Sequence, residues 1–359
     1  AANAAEAALV PRARIRVARD LPQLCAGLAG RVAWPDPPPP PAERPAPVAD
    51  LADVRGQPLV KRALEIAAGG EHGLLLIGPP GTGKTMLAQR LPGILPPLDA
   101  DELLEVASLE SACGVRPALV SRRPFRAPHH TASVAALIGA ADRPGETSRA
   151  HRGVLFLDEL PEFPRNALEA LREPLDSGTV LLARAKRCYE WPAGFQLVAA
   201  MNPCPCGYHG DPRGRCRCTA EQVRRYRNRI SGPLLDRIDL HVPVAVPTAV
   251  ELVGGDDVAT ERSAVVAARV AAARAVQLAR QGKPNGRLTP LEVGAHCRLD
   301  HAATALLLRA CERLGLSARA HQRVLKLART CADLGGSARI DAMHVAEAVQ
   351  LRALDRATP

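Results

Sequence analysis

The apolar run 73–77 leads directly into Gly78-Pro79-Pro80-Gly81-Thr82-Gly83-Lys84-Thr85, and a helical stretch follows. No other segment narrows the choice of fold so far. The pattern G-x-x-x-x-G-K-[ST] between a strand and a helix is that of a phosphate-binding loop. Its glycines let backbone amides wrap phosphate oxygens without interference from a Cβ, and the helix N-terminus adds a favourable dipole. Lys84 then neutralises the β and γ phosphates, while the Thr85 hydroxyl ligates Mg²⁺. All eight residues are therefore expected at a nucleotide, with ATP and Mg²⁺ as the ligands.

Three more apolar runs, 154–157, 195–201 and 240–246, alternate with helical stretches, which predicts an α/β fold on a parallel sheet. Their lack of polar alternation predicts strands buried on both faces and none at an edge. The run 154–157 ends in Asp158-Glu159. Asp158 can hold the Mg²⁺ shell while Glu159 orients and polarises the attacking water, two tasks that require two carboxylates. Asn202 ends the next run and can reach the γ-phosphate or the lytic water; a turn-forming Asn is the competing reading. Arg237 precedes the last run, inside Ser231-Gly232-Pro233-Leu234-Leu235-Asp236-Arg237-Ile238-Asp239. A guanidinium there can cross a subunit boundary to a neighbour's γ-phosphate. A local pair with Asp236 or Asp239 is the alternative.

Outside this block the composition changes. An Ala-rich start, a β-like run at 13–17 and an apolar segment at 21–28 are too little for a core, and read as the end of a preceding domain. Prolines 35, 37–41, 45 and 47 predict an extended linker over residues 31–50. A hairpin is expected over 184–195. Beyond residue 253 the pattern is helical at 260–281, 300–314, 317–334 and 341–356, with Ser317 and Asp341 as N-caps. This reads as a separate all-helical domain.

A net charge of +10 points to an anionic partner, nucleic acid ahead of an acidic membrane surface, although 42 arginines against five lysines also fit a compositional bias. With aromatics at 3%, contact should run through phosphates rather than stacked bases. The 74 positions between Lys84 and Asp158 predict a protruding insertion at 122–130. Its Arg126, His129 and His130, with Arg184, Lys186 and Arg187 of the hairpin, are the candidate DNA contacts; a basic subunit contact is the alternative. No apolar run of 18 residues and no signal peptide stand in the sequence, so a cytoplasmic protein with no membrane partner is expected. Of ten cysteines, Cys204, Cys206, Cys216 and Cys218 offer four thiolates within fifteen residues. They can hold a structural Zn²⁺, or pack a loop as reduced thiols.

Taken together, Asp53-Val54-Arg55-Gly56-Gln57, the phosphate loop, Phe125-Arg126-Ala127-Pro128-His129-His130, the segment 151–163, Asn202-Pro203-Cys204-Pro205-Cys206-Gly207 and the segment 231–239 resemble the ComM/YifB proteins. These are the magnesium-chelatase-like branch of the AAA+ ATPases. The resemblance covers residues 50–355 and implies a P-loop AAA+ core over 51–253, with a helical lid over 254–359. Residues 1–30 would then be the C-terminal remnant of an S5/Lon-like domain. By the same resemblance Asn202 is sensor 1, Arg237 the arginine finger and Arg319 the lid's sensor 2, while Val54 and Gly56 border the adenine. A homohexameric, ATP-driven DNA motor is implied, a branch-migration helicase acting in recombination and natural transformation. The alternative is a protein-remodelling or chelatase-type ATPase acting on a protein partner. A nucleotide-gated scaffold is the third reading, against which a water-polarising acid argues.

Overall fold

The structure, a computed structural model, describes residues 4–7, 10, 13–35, 49–114, 122–184, 187–211, 213–247, 260–352 and 354. Its strands are β1 (Leu74–Ile77), β2 (Phe125–Arg126), β3 (Gly139–Ala140), β4 (Arg143–Pro144), β5 (Val154–Leu157), β6 (Thr179–Arg184), β7 (Arg187–Pro192), β8 (Gln196–Met201) and β9 (Leu240–Pro243). Five of them form one parallel sheet in the order β2-β5-β8-β1-β9. Its central register sets Leu74 beside Val198 on one side and Leu240 on the other.

Period-two alternation divides the apolar strands between two cores. Leu74, Leu76, Val198 and Leu240 face the helix Pro58–Gly70 and, beyond it, Val266, Val270, Val324, Leu327 and Val345 of the C-terminal helices. Leu75, Leu155, Leu157 and Leu197 face Leu160, Leu168 and Leu234. The helical region expected to stand apart is thus continuous in packing with one face of the sheet.

Several expectations need correction. The run at 240 is an edge strand, not an interior one. Its apolar edge is closed by the C-terminal segment, where the His241 amide donates to the Leu351 carbonyl at 2.7 Å and His241 bridges Arg352. An uncovered apolar edge invites strand pairing with another chain, and this cover removes it. The same contact explains why the last helix, Ala342–Gln350, stops short of the expected residue 356. The segment 122–130 does not project: Phe125–Arg126 is the opposite edge strand, paired with Val154 and Leu155. Residues 13–17 form no strand, because they find no partner to complete a ladder. The hairpin starts at Thr179 and turns beyond the Arg184–Arg187 pair, and the Pro-rich tract 36–48 lies outside the described residues.

Both expected N-caps are present. The Ser317 hydroxyl accepts from the Ala320 amide at 3.1 Å, and the Asp341 carboxylate accepts from Met343 and His344. No helix among the described residues is long and apolar enough to cross a membrane.

Candidate nucleotide site

Parallel strands end at the same edge of a sheet, so residues far apart in sequence meet at their C-terminal ends. Here the ends of β1, β5 and β8 deliver Lys84, Thr85, Asp158, Glu159 and Asn202 to a single pocket of about 440 Å³, lined also by Pro80, Gly81, Thr82 and Gly83. Gly81 and Gly83 sit at φ of 77° and 83°, the left-handed region that a side chain disfavours. The helix that follows, Lys84–Ala88, is only five residues long. The anion-holding capacity therefore lies in the loop amides and Lys84 more than in an extended helix dipole.

The Lys84 ammonium donates to the carbonyls of Gly78 (2.7 Å) and Pro79 (2.8 Å) and to Asn202 Oδ1 (3.2 Å). Burial pulls its pKa below the ordinary lysine value, while Asp158 and Glu159 pull the other way. The Thr85 hydroxyl donates to Asp158 Oδ2 at 2.6 Å, and Asp158 Oδ1 accepts from the Glu159 amide at 2.9 Å. A hydroxyl and a carboxylate at this spacing suit the oxygen-rich shell of Mg²⁺, which supplies charge neutralisation on phosphate oxygens.

Glu159 lies at φ 54°, a strained conformation for a residue with a side chain. Its carboxylate is half exposed and stands 3.3 Å from His130 Nδ1. His130 in turn stacks on His129 and meets Phe163 edge-on. The sequence placed both histidines among DNA contacts; the structure sets His130 beside Glu159. Arg126 is held by Glu146 through two bonds of 2.7 and 2.9 Å.

Other candidates lie outside this pocket. Arg237 pairs with Asp176 and donates to the Pro233 carbonyl, rather than pairing with Asp236 or Asp239. Arg319 is exposed in the first turn of the helix Ala318–Leu334, apart from the pocket of its own chain. Val54 is buried with its carbonyl bound by Lys61, and Gly56 precedes Gln57, whose side chain donates to the Ala245 carbonyl at 2.6 Å. Arg184 and Arg187 close the paired part of the hairpin, and Lys186 lies outside the described residues.

The four thiols do converge. Cys204 Sγ lies 3.4 Å from Cys206 Sγ and 3.8 Å from Cys216 Sγ, and all four sulfurs lie within 4.8 Å of one another. Thiolates about 2.3 Å from one Zn²⁺ stand about 3.8 Å apart at the corners of a tetrahedron, so this set fits the ion. Amides of Arg217 and Tyr208 pull the Cys206 thiol down to about 6, while burial and the neighbouring sulfurs push Cys216 up and Cys218 up to about 11, so one thiolate is favoured and the crowded set holds its other protons.

Sequence reasoning also missed a buried polar joint between sheet and lid. His72 bonds Asp239 Oδ2 at 2.9 Å through Nδ1 and Thr330 at 2.7 Å through Nε2, and Arg323 binds the other oxygen of Asp239. Asp239 stood in a quoted motif, but nothing local marked it as inward-facing.

Sheet order and pocket together define a P-loop ATPase of the AAA+ class. The family described as "Magnesium chelatase, subunit ChlI" matches residues 50–252, and "Magnesium chelatase, subunit ChlI C-terminal" matches residues 260–352. The chain belongs to the ComM/YifB branch of this magnesium-chelatase-like family, whose members' chemistry implies ATP hydrolysis with Mg²⁺. It is 48% identical over 358 residues to YifB of Salmonella typhimurium, across 99% of this chain and 70% of that protein. To competence protein ComM of Haemophilus influenzae it is 48% identical over 313 residues, across 86% of this chain and 60% of that one. The magnesium-chelatase 38 kDa subunit of Rhodobacter capsulatus is more distant, 28% identical over 226 residues, across 57% of this chain and 58% of that subunit.

Proposed function

We propose that this chain is the motor module of a homohexameric, ATP-driven DNA translocase, a ComM-like branch-migration helicase acting in recombination and natural transformation. The observation that carries it is the convergence of Lys84, Thr85, Asp158, Glu159 and Asn202 in one pocket, in a chain 48% identical to a competence protein. Lys84 leaves the Gly78 and Pro79 carbonyls for phosphate oxygens, and Thr85 and Asp158 would hold Mg²⁺, which would neutralise charge on the phosphates. Glu159 accepts hydrogen bonding from the attacking water and draws on its proton, while Asn202 fixes the γ-phosphate or that water. Arg237 supplies the finger to the neighbouring subunit, which requires it to leave Asp176 on assembly, and Arg319 reaches nucleotide from the lid. Val54 and Gly56 border the adenine. The Cys204, Cys206, Cys216 and Cys218 set holds a structural Zn²⁺.

DNA binding titrated with salt, with and without ATP, followed by unwinding of forked and three-stranded substrates, tests the motor. ATP-linked binding and unwinding are expected. A chain that shows no ATP-linked DNA affinity, and whose turnover is instead stimulated by a chelatase partner subunit, returns the assignment to the chelatase class. Metal analysis tests the zinc: about one Zn²⁺ per chain is expected, and a Cys204→Ser variant with unchanged metal content ends that assignment.

A further inference from the structure

Residues 204–211 and 213–229 form a basic knuckle seated on the rim of the nucleotide pocket. Gly207, at φ 84°, approaches the phosphate loop so closely that a Cβ there would come within 2.6 Å of Pro80 Cδ. Tyr226 of the helix Ala220–Arg227 is buried, which pushes its hydroxyl up to about 12, and it bonds the Asn202 backbone. The four sulfurs tie the two arms of the loop together. Thr219 caps the helix through a reciprocal bond pair with Gln222. The segment is thus held at the loop, at Asn202 and at the thiol cluster.

Its outer surface is unlike the rest of the chain. Residues 213–229 carry seven arginines and one acid, Glu221. Arg215 binds Asp211 and lies 4.3 Å over the Tyr208 ring, and Arg229 binds Glu162. Arg213, Arg217, Arg224 and Arg225 are exposed and have no acidic partner among the described residues. Many arginines elsewhere bond carboxylates, as in Arg123 with Glu102 and Arg152 with Glu105, while others such as Arg309 and Arg313 are exposed like those of the knuckle.

We propose that this knuckle grips the phosphate backbone of the translocated nucleic acid and couples that grip to the nucleotide, a deepening that rests on the DNA-motor reading. Guanidinium forks match phosphate oxygens. Tyr208 lies beneath Arg215 and Tyr226 is buried, which leaves His209 as the one exposed ring among the segment's described residues, so the contact runs mainly through phosphates and reads little sequence. Because the knuckle leans on Pro80 and Asn202, filling the pocket shifts its position, and DNA must shift nucleotide affinity by the same factor.

The test is salt-titrated anisotropy on the full chain with a duplex and a single-stranded oligonucleotide, with ADP and with a non-hydrolysable ATP analogue. In Arg224→Ala/Arg225→Ala and Arg213→Ala/Arg217→Ala the log–log salt slope should fall by about 2 per pair, at roughly 0.9 per phosphate contact. Affinity should drop by roughly tenfold, with basal ATP turnover and thermal midpoint unchanged. Lysine at the same positions should restore the slope. Wild-type binding whose slope the alanine variants leave intact overturns the knuckle alone; a wild type that binds no DNA overturns the motor reading too. Altered ring size at unchanged slope assigns the surface to a subunit contact and overturns the proposal.

Discussion

Arg237 and Asp239 stand two residues apart in one motif, and the structure gives them opposite surroundings. Asp239 turns inward, 2% exposed, with both oxygens taken by His72 and Arg323. Arg237, itself only 11% exposed, bonds Asp176, a half-exposed carboxylate at the surface. Asp239 is held by partners inside the fold, whereas Arg237 is held by a carboxylate that water reaches. The same contrast separates the lid joint from the nucleotide pocket, where Lys84 is held only by neutral oxygens and Glu159 stands half exposed. Buried groups with every partner in place hold a fold; charged groups lacking full compensation await a ligand.

The largest effect should therefore come from Arg237. On the proposed finger role, Arg237→Ala should lower turnover by about 10³-fold while nucleotide affinity stays unchanged, the scale on which arginine fingers act. Equal turnover in steady-state phosphate release would break the contrast. Glu159→Gln should follow, with ATP binding retained and turnover down by about 10²-fold or more, the range of a lost general base. Mixing these two variants sharpens the point, because a ring that borrows its finger regains turnover at interfaces combining a wild-type Glu159 with a wild-type Arg237.

Asp239→Asn should leave the chemistry alone and cost stability, about 3 kcal/mol at neutral pH, the scale of breaking a buried pair from one side. Burial raises the Asp239 carboxyl, but Arg323 and His72 together outweigh it and hold the group well below the carboxylate range. A depressed folded-state pKa stabilises the fold above the unfolded value of about 3.9 and ceases to do so as pH falls through the folded value. Urea unfolding should show the gap between wild type and variant fully open at pH 7 and narrowing below about pH 4; a constant gap would assign the loss to packing. The smallest effect belongs to His130→Ala, expected to change turnover by only about three- to tenfold, within the lower range for a group that positions a general base. Steady-state phosphate release at saturating ATP, with nucleotide affinity measured alongside, checks it.

Much of the site was legible beforehand because it is written in contiguous strings. A phosphate loop needs its glycines at fixed offsets, and an acid pair after an apolar run needs only the strand to bring it to the sheet end. The caps at Ser317 and Asp341 are local in the same way, each read from a side chain and the amides two or three residues on. The position of the last strand was not legible. Apolar residues look alike in an interior strand and in an edge strand covered by another segment, and the cover here arrives from residue 351, more than a hundred positions away. The fates of Arg126 and His130 were hidden for a related reason. A basic residue announces its charge but not whether Glu146 or Glu159 will stand across from it.

What the sequence determined by itself, then, was the inventory: a phosphate loop, two carboxylates at the end of an apolar strand, four thiols in a short loop and an excess of arginine. Tertiary structure decided which charges were spent and which were left free. Pairing energies between distant side chains depend on where the sheet order puts them and on how far water is excluded, and neither quantity is a property of neighbours along the chain. That is why Arg126 is neutralised beside Glu146 while Arg224 and Arg225 face solvent on a knuckle resting against the phosphate loop.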